Sequence, residues 1–290
     1  MSNHAQPQKE SKMGEIIVGV DGSQGSRAAL RWAARTAAAQ GAALRAVGAW
    51  QYPARAATPA GPAKLPGPDE MDEQTCDALR AVVREELEAG ADQVEIEAGR
   101  GPAAPVLLGA AAKTGADMLV LGARGLGGFA GLLLGSVSQH CVENSPCPVV
   151  VLRGEHDLSD GPIVIGLDGS NGSARALEWT IDLAEATGSL IVAVHAPGTG
   201  ANNATVDARR QALEQWCAPI EHRAVPYAMR VDSGDAREVL EQAADATGAS
   251  LLVVGTRGLG AVRGLLLGSV AGYVARYTSR PIAVIPRSTG

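Results

Sequence analysis

The chain contains two glycine-rich loops that read almost alike, one in each half. In both loops two residues separate the first glycine from the second, nine residues separate the second from the third, and a serine follows the third. The intervening residues differ in part, whereas the spacing is kept. The loops run from Gly122-Ala-Arg-Gly125 to Gly135-Ser136 and from Gly255-Thr-Arg-Gly258 to Gly268-Ser269. This repeat predicts two copies of one structural unit.

The composition of these loops favours an anionic ligand. Glycine lets the backbone turn and approach a bound molecule closely. A Gly-Ser pair at the start of a helix offers unpaired N–H groups and a hydroxyl to an anion. The loops therefore predict phosphate binding.

The segments around the loops alternate between strand and helix patterns. The first strand of each half is a continuous apolar run followed by Asp-Gly-Ser, which is typical of a strand buried on both faces of a parallel sheet. Ala, Leu and Trp then recur at helical spacing, and Gly41 and Gly188 end these helices. Strands are predicted near residues 15–21, 42–49, 93–98, 116–122 and 148–153, and near 162–168, 189–196, 225–231, 249–255 and 281–286. We therefore expect an α/β fold with two similar domains, each a five-stranded parallel sheet with helices on both faces.

The repeat also sets the domain boundaries. The first domain is predicted over residues 14–154 and the second over 162–290, with a linker at 155–161 and a flexible tail at 1–13. Residues 52–68 are rich in Pro, Ala and Gly without a period, which indicates a surface loop.

Charge and hydropathy disfavour two classes of partner. The net charge is −6 and no long run of Lys and Arg occurs, so binding to nucleic acid is not expected. No run of about 18 apolar residues occurs, so no membrane partner is expected and a cytoplasmic location is favoured. The four cysteines show no C-x-x-C pair, which fits a reducing compartment and no metal site.

Other sequence motifs that indicate nucleotide binding or catalysis are incomplete or absent. Residues 125–130 formally match the G-x-G-x-x-A dinucleotide fingerprint, but they do not follow a first strand and the second half loses the match. Lys113-Thr114 lacks the glycine that precedes the Lys of a P-loop. A G-x-S-x-G nucleophile elbow is absent.

With an Asp after strand one and the glycine loop after strand four, each half resembles a universal stress protein domain of the ATP-binding kind. The resemblance implies an adenine-nucleotide alpha hydrolase-like fold and ATP as ligand, up to one per domain, alone or with Mg²⁺. It implies that the Asp meets the ribose, the end of strand two meets adenine, and the loop wraps the phosphates. The matching residues are Asp21, Ala49, Gly122, Arg124, Gly125, Gly135, Ser136 and Val137 in the first half, and Asp168, Ala196, Gly255, Arg257, Gly258, Gly268, Ser269 and Val270 in the second.

Structural roles are an alternative for the same residues. An Asp before Gly-Ser is common in turns and at helix caps, and glycines after a strand can serve a tight turn alone. The residues themselves do not choose adenine over guanine.

Three functions are compatible with this pattern. The leading hypothesis is a nucleotide-dependent regulatory protein of the stress response, without catalytic residues. The alternatives are a slow ATPase or nucleotidyl transferase of the same fold group, and an interaction module whose sites stay empty. The resemblance also implies that the fifth strands pair the two halves as a pseudo-dimer within one chain, and a homodimer of chains is a further expectation.

Overall fold

The computed structural model describes residues 14–52, 57–58, 61–62, 65–126, 134–198, 203–259 and 267–287. The predicted tail, residues 1–13, lies outside this range, as do parts of the predicted loop at residues 52–68 and of the glycine loops. Among the helices in this range, none is long and apolar enough to cross a membrane.

The first half alternates strands and helices as predicted. Its main elements are β1 (Glu15–Gly19), α1 (Gln24–Gln40), β2 (Ala43–Trp50), β3 (Ala57–Thr58), β4 (Gly61–Pro62), α2 (Pro68–Leu87), β5 (Val94–Arg100), α3 (Ala103–Thr114), β6 (Met118–Gly122), α4 (Ser136–Asn144) and β7 (Val149–Leu152). A 3₁₀ turn, Glu88–Gln93, joins α2 to β5.

The second half repeats this order after a short 3₁₀ turn, Leu158–Asp160. Its elements are β8 (Ile163–Gly166), α5 (Asn171–Thr187), β9 (Ile191–His195), α6 (Asn203–His222), β10 (Tyr227–Val231), α7 (Ala236–Thr247), β11 (Leu251–Gly255), α8 (Ser269–Tyr277) and β12 (Ile282–Ile285). Gly41 and Gly188 end α1 and α5 in the left-handed conformation, with φ values of 63° and 70°.

In the described part of the chain, ten strands form one sheet in the order β10-β9-β8-β11-β12-β7-β6-β1-β2-β5. All neighbours within each half are parallel, so the predicted five-stranded parallel sheets are confirmed. The halves join where β7 and β12 pair antiparallel, with Val150 opposite Ala283. This is the intramolecular pairing that the family resemblance implies. Because the junction is antiparallel, the carboxyl ends of the two sets of strands lie at opposite edges of the sheet.

Each face of the sheet carries a buried apolar cluster that extends through both halves. On one face α1, α2, α5 and α6 cover the strands, and α1 contacts α5 across the junction. On the other face α3, α4, α7 and α8 cover them. Since burial of apolar area is the main stabilising term in folding, this shared core holds the halves together.

The linker is anchored to the first domain. Asp157 and Asp160 form a capping box around the 3₁₀ turn, and Leu158 is buried. Arg35 pairs with Asp157 at 2.6 Å, and Arg31 pairs with Glu155. Several packed contacts therefore restrict a segment that the sequence marks only as a connection.

Two predicted elements differ from the structure. The sequence pattern indicates a charged helix over about residues 206–218 in the second half, and Pro219, which has no backbone N–H, directly follows that range. The helix continues to His222, and Ile220 beyond the proline is fully buried, so apolar packing offsets the lost hydrogen bond. The predicted loop at residues 52–68 contains the small antiparallel pair of β3 and β4.

Candidate functional site

Two cavities lie at the carboxyl ends of the strands, one in each half. Their volumes are about 320 Å³ in the first domain and about 310 Å³ in the second, which is the size range of small-molecule sites. All eight predicted residues of the first half line the first cavity, and all eight of the second half line the second. The fold therefore brings together each set of residues that the sequence singled out.

In each cavity, an aspartate that follows the first strand of the domain is hydrogen-bonded to the glycine-rich loop. Asp21 accepts hydrogen bonds from Ser23 N through Oδ1 at 3.0 Å and from Leu126 N through Oδ2 at 3.1 Å. The second domain repeats both bonds on Asp168, from Ser170 N at 3.0 Å and from Leu259 N at 2.9 Å. The turn role that the sequence left open is thus confirmed, and a second role, fixing the glycine loop, is added.

These contacts keep both carboxylates ionised. Burial raises the pKa of Asp21, but the hydrogen bonds from Ser23, Ser26 and Leu126 outweigh it, so the pKa is lowered from 3.8. The pKa of Asp168 is lowered by the same balance of burial and hydrogen bonds. Each carboxylate oxygen can accept more than one hydrogen bond, so acceptor capacity remains for a ligand hydroxyl.

The second glycine of each loop lies so close to the aspartate that no side chain fits at this position. A Cβ atom on Gly125 would collide with Oδ2 of Asp21, and one on Gly258 would collide with Oδ2 of Asp168. Neither glycine has a φ in the left-handed region. Close approach between loop and carboxylate, rather than turn geometry, therefore explains these positions.

The first glycine of each loop lies against the start of a helix. A Cβ on Gly122 would stand 2.7 Å from the carbonyl oxygen of Gly25, and one on Gly255 would stand 2.9 Å from that of Gly172. Gly25 and Gly172 themselves belong to the repeated Ser-x-Gly-Ser sequences at the starts of α1 and α5. We did not single out these two glycines from the sequence, although their repetition in register was a usable signal.

Helices α4 and α8 present uncapped amino ends to the cavities. Their N-cap residues are Gly135 and Gly268, and neither has a side chain that accepts from the first helical N–H groups. By contrast, Ser23 and Ser170 cap α1 and α5 with their hydroxyls. The first turns of α4 and α8 therefore keep donors for an anion.

One arginine from each glycine loop completes the polar wall. Arg124 is exposed and Arg257 is half-buried, and both line their cavities. Among the described residues neither guanidinium is paired with a carboxylate. Both remain available for bidentate hydrogen bonds to a phosphate.

The opposite wall of each cavity is apolar. Val47, Leu107 and Leu121 line it in the first domain, and Val194, Leu240 and Val254 in the second. The predicted site residues do not include these apolar side chains, which also belong to a buried apolar cluster. Their dual role could not be recognised before the packing of α3 and α7 was known.

The described residues do not favour a protein-held metal ion or a reactive thiol at these sites. Among the residues with described positions, no group of three or more His, Cys, Asp or Glu could hold a metal ion. The cysteines are free, and burial raises the pKa of the Cys141 and Cys217 thiols to about 12. These thiols are therefore not activated nucleophiles.

Comparison with known proteins links this architecture to one family. The model of the universal stress protein family matches residues 13–153 and 161–286. The universal stress protein Rv2623 of Mycobacterium tuberculosis H37Rv is 31% identical over 292 residues, covering 94% of this chain and 96% of the relative. A universal stress protein of Mycolicibacterium smegmatis is 33% identical over 289 residues, covering 93% and 96%. The crystal structure of a universal stress protein from Archaeoglobus fulgidus shares the fold, with a TM-score of 0.66, 20% identity, and coverage of 95% of this chain and 97% of that one.

Proposed function

The chain belongs to the universal stress protein family, and we propose that it binds one ATP in each of its two cavities and acts as a nucleotide-dependent regulator in the stress response. The proposal rests on an arrangement of residues that is repeated in both domains. In both domains an uncapped helix start, an arginine that is not paired with any carboxylate among the described residues, and a glycine-rich loop surround one cavity of ligand size. This combination fits a phosphate chain.

The remaining walls fit a nucleoside. The carboxylates of Asp21 and Asp168 are ionised and retain acceptor capacity for the hydroxyls of a sugar. The apolar side chains beside Ala49 and Ala196 provide surface for a flat base. The choice of adenine rests on the family resemblance.

Mg²⁺ would enter with the phosphates. Each cavity supplies one carboxylate, Asp21 or Asp168, which is already engaged by backbone N–H groups. Mg²⁺ in nucleotide sites is commonly held by one or two carboxylates together with phosphate oxygens. Because this carboxylate is assigned to the sugar hydroxyls, Mg²⁺ would be held by phosphate oxygens and water rather than by a carboxylate of the described lining.

We propose binding rather than turnover as the main activity. Fast phosphoryl transfer uses several cationic groups, carboxylates for the metal and a residue that orients the nucleophile. The described lining of each cavity offers one arginine, one aspartate and serine hydroxyls. A slow ATPase and an interaction module with empty sites remain the competing proposals.

The proposal places the protein in the cytoplasm. All four cysteines are free, and three of them are buried. Free thiols fit a reducing compartment. Regulation would act through a change of conformation or of association between chains when the cavities fill.

Analysis of the bound nucleotide tests the proposal most directly. The protein is purified without added ligand and denatured by heat, and the supernatant is analysed by ion-exchange chromatography. Isothermal titration of the stripped protein with ATP then counts the sites. We expect ATP in the supernatant and up to two sites for each chain.

The same preparation separates the alternatives. Steady release of ADP that disappears in the Asp21→Ala, Asp168→Ala double variant would favour the slow ATPase. Absence of nucleotide, together with no thermal stabilisation by millimolar ATP, would favour the interaction module and overturn the proposal.

A further inference from the structure

Each cavity has one hydroxyl residue that the other cavity lacks. Ser138 lines the first cavity from the first turn of α4, and Ala271 stands at the matching position of α8. Thr256 lines the second cavity directly after β11, and Ala123 stands at the matching position after β6. The two halves therefore carry a hydroxyl at different positions of the same framework.

The hydroxyl of the first cavity is engaged by the protein. Ser138 Oγ donates to the carbonyl oxygen of Gly122 at 2.7 Å, and Ser138 is buried. A serine hydroxyl has a single proton to donate. Because Gly122 is the first glycine of the loop, Ser138 uses that proton to hold the loop rather than to meet a ligand.

The hydroxyl of the second cavity has no such partner. The Thr256 hydroxyl forms no hydrogen bond with any residue whose position is described. Thr256 is nevertheless only 8% exposed. A buried hydroxyl without a partner is unfavourable unless water or a ligand provides one. Thr256 therefore offers an unused donor at the wall of the second cavity.

The side chain of Thr256 faces the cavity. Thr256 and Ala123 have matching backbones, since the carbonyl oxygen of each accepts from the N-cap glycine of the next helix, Gly268 or Gly135, at 2.7 Å. Thr256 lines its cavity, whereas Ala123 does not line the other. The larger side chain accounts for this difference. Strand alternation agrees, because Val254, two residues earlier, also lines the second cavity.

The strand order places Thr256 at the phosphate end of the proposed ligand. Strands β9, β8 and β11 are neighbours in the sheet, and they are followed by Ala196, Asp168 and the glycine loop respectively. A nucleotide with its base at Ala196 and its sugar at Asp168 extends its phosphates toward that loop. Thr256 belongs to the loop and is hydrogen-bonded to Gly268, the N-cap of the uncapped helix α8.

We propose that the Thr256 hydroxyl donates a hydrogen bond to a phosphate oxygen of the nucleotide in the second cavity. The inference rests on the proposed nucleotide binding. Ala123 supplies no hydroxyl at this position, so the two cavities hold the phosphate chain through different sets of donors.

The test removes the hydroxyl with little change of shape. Isothermal titration with ATP is carried out in the Gly125→Ala background, which retains the second cavity. Thr256→Val should weaken ATP binding about tenfold, because hydrogen bonds to charged acceptors are strong. Thr256→Ser keeps the hydroxyl and should stay within about threefold of the parent.

A second measurement distinguishes contact from packing. Removal of a hydrogen bond to phosphate should shift a ³¹P NMR resonance of bound ATP in Thr256→Val, and Thr256→Ser should restore its position. The matched control is Thr180→Val, because Thr180 donates to the carbonyl oxygen of Ala176 inside α5 and lines neither cavity. This control should change neither the affinity nor the spectrum.

The outcomes differ from those of the proposed function. ATP affinity within twofold of the parent in Thr256→Val, or equal losses in the Val and Ser variants, would overturn the inference. Unchanged ³¹P resonances in Thr256→Val would also overturn it, since the hydroxyl would then contact only water. A wild-type chain that binds no ATP would instead overturn the proposed function itself.

Discussion

The Oδ2 atom of Asp21 occupies the space that a side chain at Gly125 would need. The same relationship holds between Asp168 and Gly258. Asp21 and Gly125 are far apart in the chain, yet the hydrogen bond from Leu126 N to Asp21 holds them together. The glycine and the aspartate therefore form one unit that shapes the cavity.

This unit predicts a specific coupling between two substitutions. Gly125→Ala should destabilise the chain by about 1–3 kcal/mol, because the new methyl group displaces the Asp21 carboxylate, and it should abolish binding at the first cavity only. In the Asp21→Ala background the collision is absent, so the added cost of Gly125→Ala should be smaller by about 1 kcal/mol or more. Urea unfolding of the four proteins measures this difference, and ATP titration counts the surviving sites. Additive losses would contradict the coupling, and two remaining sites in Gly125→Ala would refute its role in binding.

Low pH should reduce the free energy of unfolding, partly because the two aspartates become protonated. The pKa values of Asp21 and Asp168 are lowered from 3.8 in the folded state, so their contribution to stability is complete above that pH and is lost as the pH falls through the folded values. The free energy of unfolding can be measured by urea titration between about pH 6 and pH 2.5. The double variant Asp21→Asn, Asp168→Asn should lose less stability over the acid end than the wild type. A double variant with the same acid dependence as the wild type would show that these carboxylates do not contribute.

The anchored linker should resist proteolysis. Asp157→Ala removes the cap of the 3₁₀ turn and the ion pair with Arg35, at a cost of about 1 kcal/mol, and cleavage within residues 154–161 should become about fivefold faster. Asp232→Ala, which removes an exposed ion pair with Arg230, serves as the matched control. Mass spectrometry of timed digests gives the rates. Equal rates for both variants would mean that the cap does not protect the linker.

Cleaved halves should stay together. The pairing of β7 with β12 and the contact of α1 with α5 do not depend on an intact linker. Size-exclusion chromatography of the nicked protein should give one peak at the mass of the whole chain. Immediate separation into two smaller species would show that the shared sheet is weaker than its packing implies.

The thiols should differ in reactivity. Cys76 is half-buried, whereas Cys141, Cys147 and Cys217 are buried and their pKa values are raised chiefly by burial. A colorimetric thiol reagent at about pH 8 should therefore modify one cysteine in the native protein and all four after unfolding. Cys76→Ser should remove the fast phase. A fast phase that persists in this variant would show that a buried thiol becomes accessible in the native state.

The sequence predicted the fold well for a physical reason. Strands such as β6 and β11 are continuous apolar runs that end at a glycine, so the hydrophobic pattern and the residue that ends the strand both indicate the same element. Helix α6 extends beyond the predicted end at residue 218 because burial of Ile220, which depends on the tertiary structure, outweighs the local cost of Pro219. The small pair of β3 and β4 lies in a segment without a period and gave no such signal.

The sequence predicted which residues line the candidate site, but it did not predict the contacts between them. The repeat identified the loops and the aspartates, because duplication in register is visible in a sequence. The hydrogen bond from Leu126 to Asp21 depends on strand order and on which strand ends meet. Such long-range neighbours cannot be read from one chain without its topology.

The antiparallel junction of β7 and β12 has a consequence for access to the two cavities. It directs their mouths away from each other, toward opposite edges of the shared sheet. A protein that covers one mouth therefore leaves the other accessible. If both cavities bind nucleotide as proposed, one chain would present two separate docking faces, each of which would respond to its own ligand.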